Sequence, residues 1–187
     1  MNDDIKESLE VLKRGGVILY PTDTIWGLGC DATNAEAVKK VYDIKRRSDT
    51  KSMLVLLNDA AFLTYYVHKV PDIAYELINV ADKPLTIIYP GAKNLAENLI
   101  PSDGSIGIRI PNDFFCKKLI SQFKKPIVST SANFTEKPAP GNFGDLDSEI
   151  LNAVDYVVTW RQDELTRNIP SSIIKLGVNG EIQIIRK

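Results

Sequence analysis

Histidine occurs once in this chain of 187 residues, at His68, and cysteine twice, at Cys30 and Cys116. The two cysteines are far apart and form no C-x-x-C pair, which excludes a disulfide framework and a four-cysteine zinc site. A Ser-His-Asp relay would have to run through His68, beside Lys69, Val70 and Pro71 in what reads as a surface connection between helices. Charge of neither sign dominates: 23 basic and 24 acidic residues leave a net −1, less basic than a phosphate-dominated nucleic-acid binder. No apolar run approaches the ~20 residues a membrane span needs, and no basic-then-apolar leader opens the chain. The cytoplasm is the expected location, and no membrane partner is expected. The common nucleotide fingerprints are missing as well: there is no G-x-x-x-x-G-K-S/T phosphate loop and no G-x-G-x-x-G opening a helix. A nucleotide would have to be held by a less common arrangement.

What remains is a globular composition, 44% hydrophobic and 25% charged, long enough for a real core in one domain spanning 1–187. Ile5, Leu9 and Leu12 fall at helical spacing and stop at Gly15-Gly16. Thr33 or Asn34 can cap a second helix whose apolar face is Ala37, Val38, Val41 and Ile44. Helical character returns over 60–80, broken at Pro71, and again after Asp113, a capping residue, through Gln122. Apolar runs at 17–20, 53–57, 85–89, 105–110, 127–130, 156–159, 172–176 and 182–186 read as strands. Helices alternate with the earlier strands and are missing between the last ones. The pattern predicts an α/β fold built on a twisted, mixed sheet flanked by helices.

Gly15–Ala32, GGVILYPTDTIWGLGCDA, carries the strongest local signal. The strand ends at Pro21, which cannot donate to a ladder. Thr22, Asp23 and Thr24 follow, then Trp26 and the loop glycines Gly27 and Gly29. Open α/β sheets bind ligands beyond the carboxyl ends of their strands. Several strands here end in proline or hydroxyl-rich turns: PTDT, YPG, RIP and STSAN. If those ends point the same way, their polar groups meet in one crevice. Cys30, inside this segment, reads as a small packed thiol rather than a nucleophile.

Lys39, Lys40, Lys45, Arg46, Arg47 and Lys51 fall within thirteen positions. They form either a solvated helix face or an anion site. Lys45 and Arg47 diverge by about 200° on a regular helix, so both reach one ligand only if the helix ends beside them. Lys supplies a mobile point charge and Arg a planar fork, a pair suited to polyphosphate. Ser131 and Asn133 lie on one side of an extended segment. Arg109 ends another strand, and Ser171 opens a late one.

Together these segments resemble the threonylcarbamoyl-AMP synthase family. The likeness is carried by PTDTIWGLGCDA from Pro21, KRR from Lys45, SIGIRIP from Ser105, STSAN from Ser129 and PSSII from Pro170, in the family's order and across most of the chain. The resemblance implies a YrdC-like fold with a concave basic cleft. It implies an enzyme that makes threonylcarbamoyl-AMP and pyrophosphate from L-threonine, bicarbonate and ATP, for the threonylcarbamoyladenosine modification of tRNA. Lys45, Arg47, Ser131 and Asn133 match the family's catalytic K-x-R and S-x-N signature. Around ATP the match implies Lys45, Arg47, Lys51, Ser105, Ser129, Ser131 and Arg186, and around threonine Thr22, Thr24, Arg109 and Ser171. Mg²⁺ is expected on the nucleotide, with no metal site of the protein's own. tRNA and the downstream threonylcarbamoyl-transferase machinery are further expected partners. Three places depart from the family pattern: Ser52-Met53 follows the K-x-R segment, Pro90-Gly91-Ala92-Lys93 forms one turn, and Glu136 stands where glycine is common. The competing readings are an RNA-binding module that uses the same cleft and a paralogue with the same fold and different chemistry.

Overall fold

The computed structural model describes residues 1–46 and 53–187. The opening helix, α1 (Asn2–Lys13), buries Ile5, Val11 and Leu12. In α2 (Ala35–Lys45) the Asn34 side chain accepts from the backbone N–H groups of Glu36 and Ala37, and Arg46 ends the helix in the left-handed conformation. The 60–80 region does break before Pro71, but earlier and more completely than its periodicity predicts. A short α3 (Leu63–Tyr66) leads into the extended residue Val67, and α4 (Asp72–Val80) starts afresh behind Pro71. In α5 (Phe114–Phe123), Asp113 caps by accepting from the Cys116 N–H at 2.7 Å. The last helix, α6 (Ser148–Ala153), carries no clear apolar period and is not anticipated.

Among the described residues nine strands form one sheet: β1 (Ile18–Tyr20), β2 (Gly27–Gly29), β3 (Leu54–Leu56), β4 (Leu85–Tyr89), β5 (Ile106–Arg109), β6 (Ile127–Ser131), β7 (Tyr156–Val157), β8 (Ser172–Leu176) and β9 (Ile182–Arg186). Their order across the sheet is β7-β1-β2-β6-β3-β5-β4-β8-β9. The sheet is mixed, as expected. The surprise is β2, which the sequence presents as a glycine-rich loop. It lies antiparallel between β1 and β6, with Tyr20 opposite Gly27 and Gly27 opposite Ser131.

The strand directions divide the motif-bearing carboxyl ends: β1, β4 and β6 run the same way, and β5 runs against them. β1 and β6 run together, β3 runs against β6, and β5 runs with β3. The RIP turn therefore leaves the opposite edge from PTDT and STSAN. The polar residues meet through the strands' two-residue alternation instead, on one face of the sheet. Arg109 sits opposite Thr86, Gly107 opposite Ile88, Leu54 opposite Ser129, and Ile173 opposite Arg186. The alternate residues Val55, Ile87, Ile108 and Val128 are buried in one apolar cluster with Ile5, Leu12, Phe115 and Leu119.

Candidate active site

Across that polar face runs a cleft of about 320 Å³, within the ~300–1,000 Å³ range of ligand sites. Its floor is low because the strands put small residues there: Gly27 on β2, Ser129 and Ser131 on β6, Gly107 on β5 and Thr86 on β4. A Cβ on Gly107 would lie 3.3 Å from Leu54 Cβ and 3.4 Å from Thr86 Cγ2, so glycine keeps the centre open. Trp26 walls one end, its ring 4.9 Å from that of Phe143.

Seven of the expected site residues line this cleft: Thr24, Ser105, Arg109, Ser129, Ser131, Ser171 and Arg186. Arg109 is only 3% exposed and is ion-paired to Asp23, whose other oxygen accepts the Asn112 N–H at 2.9 Å. The Arg109 Nε is buried with no hydrogen-bond partner among the described residues. Arg186 donates from Nε to the Ser171 carbonyl at 2.9 Å. Desolvation, and after it the like charge of Arg109, pull the Arg186 guanidinium below its ordinary pKa. The described wall thus holds two neighbouring guanidinium groups and no carboxylate. Such an arrangement favours an anion between them. Thr86 and Ser171 exchange a hydroxyl bond at 2.8 Å across the cleft floor.

Three other expected residues stand outside the wall. Thr22 is buried behind Thr24, with its hydroxyl spent on Thr24 and on the Ile25 carbonyl, so it does not reach a ligand directly. Lys45 is 2% exposed, and its ammonium donates to the carbonyls of Ser131 and Asn133. It fixes the turn after β6 rather than lining the cleft. The Asn133 amide donates to the Phe134 and Lys137 carbonyls within the same turn. Arg47 and Lys51 lie outside the described residues. The described remainder of the basic run turns inward or pairs on the surface: Lys39 with Asp43, Lys40 with the Gly15 carbonyl, and Arg46 with Glu149. His68 is exposed, as expected. Both cysteines are buried, and burial pushes each thiol above its ordinary pKa, so neither is poised as a nucleophile. Among the described residues no group of three or more His, Cys, Asp or Glu side chains could hold a metal, and no helix is long and apolar enough to cross a membrane.

Sequence reasoning missed Thr86 and Gly107 as cleft residues. A threonine in the apolar strand LTIIY, and a glycine two positions before Arg109, were the available signals.

The sequence model of the Sua5/YciO/YrdC family, described as "Telomere recombination", matches residues 10–187. The chain belongs to the Sua5/YciO/YrdC family. It is 32% identical over 181 residues to a threonylcarbamoyl-AMP synthase of Pseudoalteromonas translucida, covering 95% of each chain. Among solved structures, YciO of E. coli superposes with a TM-score of 0.85 at 22% identity, over 100% of this chain and 90% of that one. Sua5 of P. abyssi, solved in complex with L-threonine, gives 0.82 at 21% identity over 92% of this chain and 50% of that one. The chain thus spans about half the length of that Sua5 protein. At these identities the two likenesses establish the YciO/Sua5 fold. The family's two short signatures behave differently here. The S-x-N serine, Ser131, is in the cleft wall, while the described K-x-R cation, Lys45, braces that wall from behind.

Proposed function

We propose that the cleft binds L-threonine and ATP and, with bicarbonate, forms threonylcarbamoyl-AMP and pyrophosphate, a nucleotidyl transfer that serves tRNA modification. The observation that carries this reading is the buried Arg109 guanidinium, oriented by Asp23 and with Nε unpartnered at the cleft wall. A desolvated guanidinium beside hydroxyls is a receptor for a small carboxylate. Thr24 and Ser171 share its cleft and supply the remaining contacts to an amino acid. Arg186, Ser129 and Ser131 line the same cleft. The triphosphate belongs on that side, with Arg47 and Lys51 as further cations.

In this reading the threonine nitrogen bonds to the bicarbonate carbon with loss of water. The carbamate oxygen then attacks the α-phosphorus, and the bond to the bridging oxygen breaks as pyrophosphate leaves. Carbamates decompose readily in water, so a walled cleft that holds the intermediate against the nucleotide matters as much as charge stabilisation. Negative charge grows on the α-phosphoryl oxygens, and fixed guanidinium and hydroxyl donors stabilise it without reorganising. No protein nucleophile is needed, in keeping with two buried thiols and an exposed histidine. The described wall offers Mg²⁺ hydroxyls but no carboxylate, so the ion comes and goes with the triphosphate. In this reading the labile product passes to an enzyme that transfers the threonylcarbamoyl group to tRNA, in the cytoplasm.

The purified chain should release pyrophosphate from ATP only when L-threonine and bicarbonate are both present. Release that ignores threonine would point to a paralogue with other chemistry. Tight, steeply salt-dependent tRNA binding with no turnover would point to an RNA-binding module.

A further inference from the structure

The Thr24 hydroxyl has a fixed polarity toward the cleft, set by the residue behind it. Thr22 Oγ1 lies 2.9 Å from the Ile25 carbonyl oxygen, which can only accept. The single Thr22 hydroxyl proton therefore points to Ile25. The same oxygen accepts the Thr24 N–H at 3.0 Å and lies 2.9 Å from Thr24 Oγ1. With its own proton committed, Thr22 can only accept from the Thr24 hydroxyl. The Thr24 proton is thus turned back, away from the cleft. Thr22 is saturated, with one bond donated and two accepted, while Thr24 keeps its lone pairs for whatever the cleft holds. Reversing the relay would strip the buried Ile25 carbonyl of its Thr22 partner.

We infer that Thr22 is a positioning residue that locks Thr24 as an acceptor toward the cleft, so the ligand group seated at Thr24 is an N–H or O–H donor of the amino acid and not its carboxylate. This rests on the threonine reading of the cleft and orients the amino acid within it. The carboxylate lies at Arg109, and the amine or the side-chain hydroxyl lies at Thr24. Ser105 follows the same rule on the other side of the cleft. Its hydroxyl donates to Asp103 at 2.7 Å, and the hydrogen bonds from the Ser105 side chain and backbone hold that carboxyl below its ordinary pKa. Asp103 is therefore an ionised acceptor, and Ser105 likewise turns only lone pairs to the cleft. Among the polar groups of the wall, Arg109 and Arg186 are fixed donors and Thr24 and Ser105 are enforced acceptors. A neutral hydroxyl free to rotate would make no such division.

The test is calorimetric titration of the whole chain with L-threonine and, separately, with ATP. Thr22→Val removes the relay, and it should weaken L-threonine about tenfold, the worth of one hydrogen bond, while leaving ATP affinity unchanged. Thr22→Ser keeps the hydroxyl and should restore the parent value for L-threonine. A merely structural role would move both ligands together. If Thr22→Val does not fold, the unaltered chain decides alone, titrated with L-2-aminobutyrate, which lacks the hydroxyl, and 3-hydroxybutyrate, which lacks the amine. The analogue missing the donor at Thr24 should bind at least about tenfold more weakly than L-threonine. The inference is overturned if Thr22→Val binds L-threonine like the parent, if Thr22→Ser is as weak as Thr22→Val, or if both analogues match L-threonine. Failure of the unaltered chain to bind L-threonine would instead sink the threonine reading and this inference with it.

Discussion

Replacing Arg109 by methionine, which has a similar reach and no charge, should expose how much the cleft depends on a buried ion pair. The side chains of Arg109 and Asp23 are 3% and 9% exposed. Without the guanidinium, Asp23 keeps the Asn112 N–H at 2.9 Å as its remaining partner among the described residues. Removing one member of a buried pair strands the other charge and costs ~3–5 kcal/mol. Asp23→Asn leaves the buried Arg109 cation without its counter-ion, and the amide's single oxygen can accept from Arg109 or from the Asn112 N–H but not from both, so it too should cost ~3–5 kcal/mol. In the double variant no charge is stranded, so its cost should fall short of the sum of the two singles by ~1–3 kcal/mol. Urea unfolding of the four proteins at neutral pH, with unchanged m-values, measures this coupling directly. Additivity within ~0.5 kcal/mol would refute the argument, because two groups that do not sense each other add. The same four proteins carry a functional reading. Asp23 lies outside the cleft wall, yet Asp23→Asn should weaken L-threonine more than ATP, since it loosens the group proposed to hold the carboxylate.

Gly107→Val places a Cβ 3.3 Å from Leu54 Cβ and raises two methyls from the cleft floor. The urea midpoint should drop by only ~1 kcal/mol equivalent, because the methyls meet space on one side. Binding of the amino acid or the nucleotide should fall sharply, and unchanged titrations of both would place the ligands elsewhere. Asp4 tests acid sensitivity far from the cleft. Its Oδ1 accepts from the Thr159 N–H at 2.6 Å and from the Thr159 and Tyr156 hydroxyls at 2.9 Å, which ties α1 to the segment around β7. Burial alone would raise this carboxyl, but the Thr159 backbone bond, the N-terminal ammonium 3.1 Å from Oδ2 and the hydroxyl bonds outweigh it and hold the pKa below the ordinary 3.8. A depressed folded-state pKa contributes stability above the unfolded value and loses it as pH falls through the folded one. The stability gap between the parent and Asp4→Asn should therefore be widest near neutrality and close as the pH falls below the ordinary carboxylate value, and a gap that stays constant on acidification would refute the assignment.

Much of the fold was legible because its signals are local. The cap Asp113 and the strands β4, β8 and β9 are found where their residues alone place them, and the cap of α2 is one of the two residues offered, Asn34 rather than Thr33, since capping and alternation need no distant partner. β2 was not legible. Gly-Leu-Gly has no strand propensity, and its extended backbone is imposed by β1 and β6 on either side. The glycine is required there by packing. A Cβ on Gly29 would meet Tyr20 Cε1 at 2.5 Å and the Val128 carbonyl at 2.9 Å. Seven of the residues singled out in the sequence line one cleft, but where they would meet was not legible. Carboxyl-end reasoning assumes parallel strands, whereas β5 runs against β6 at two removes, so Arg109 and Ser131 meet only because both project from one face. The alternation that brings them together is visible in retrospect as pairs of small or polar residues two apart: Ser129 and Ser131, Gly107 and Arg109.

Lys45 shows the deeper reason for the remaining gap. Its motif, its charge and its place at a helix end all suit a phosphate, yet the ammonium is buried against two backbone carbonyls of the turn that presents Ser131. The Lys45 carbonyl in turn accepts the Thr135 N–H at 3.1 Å and the Thr135 hydroxyl at 3.2 Å. Helix end and turn thus hold each other through both the side chain and the backbone of one residue. A chain of residues says which groups carry charge. Whether that charge turns outward to a ligand or inward to a carbonyl depends on which unpaired backbone acceptors the fold brings within reach, and residue type and spacing do not encode that.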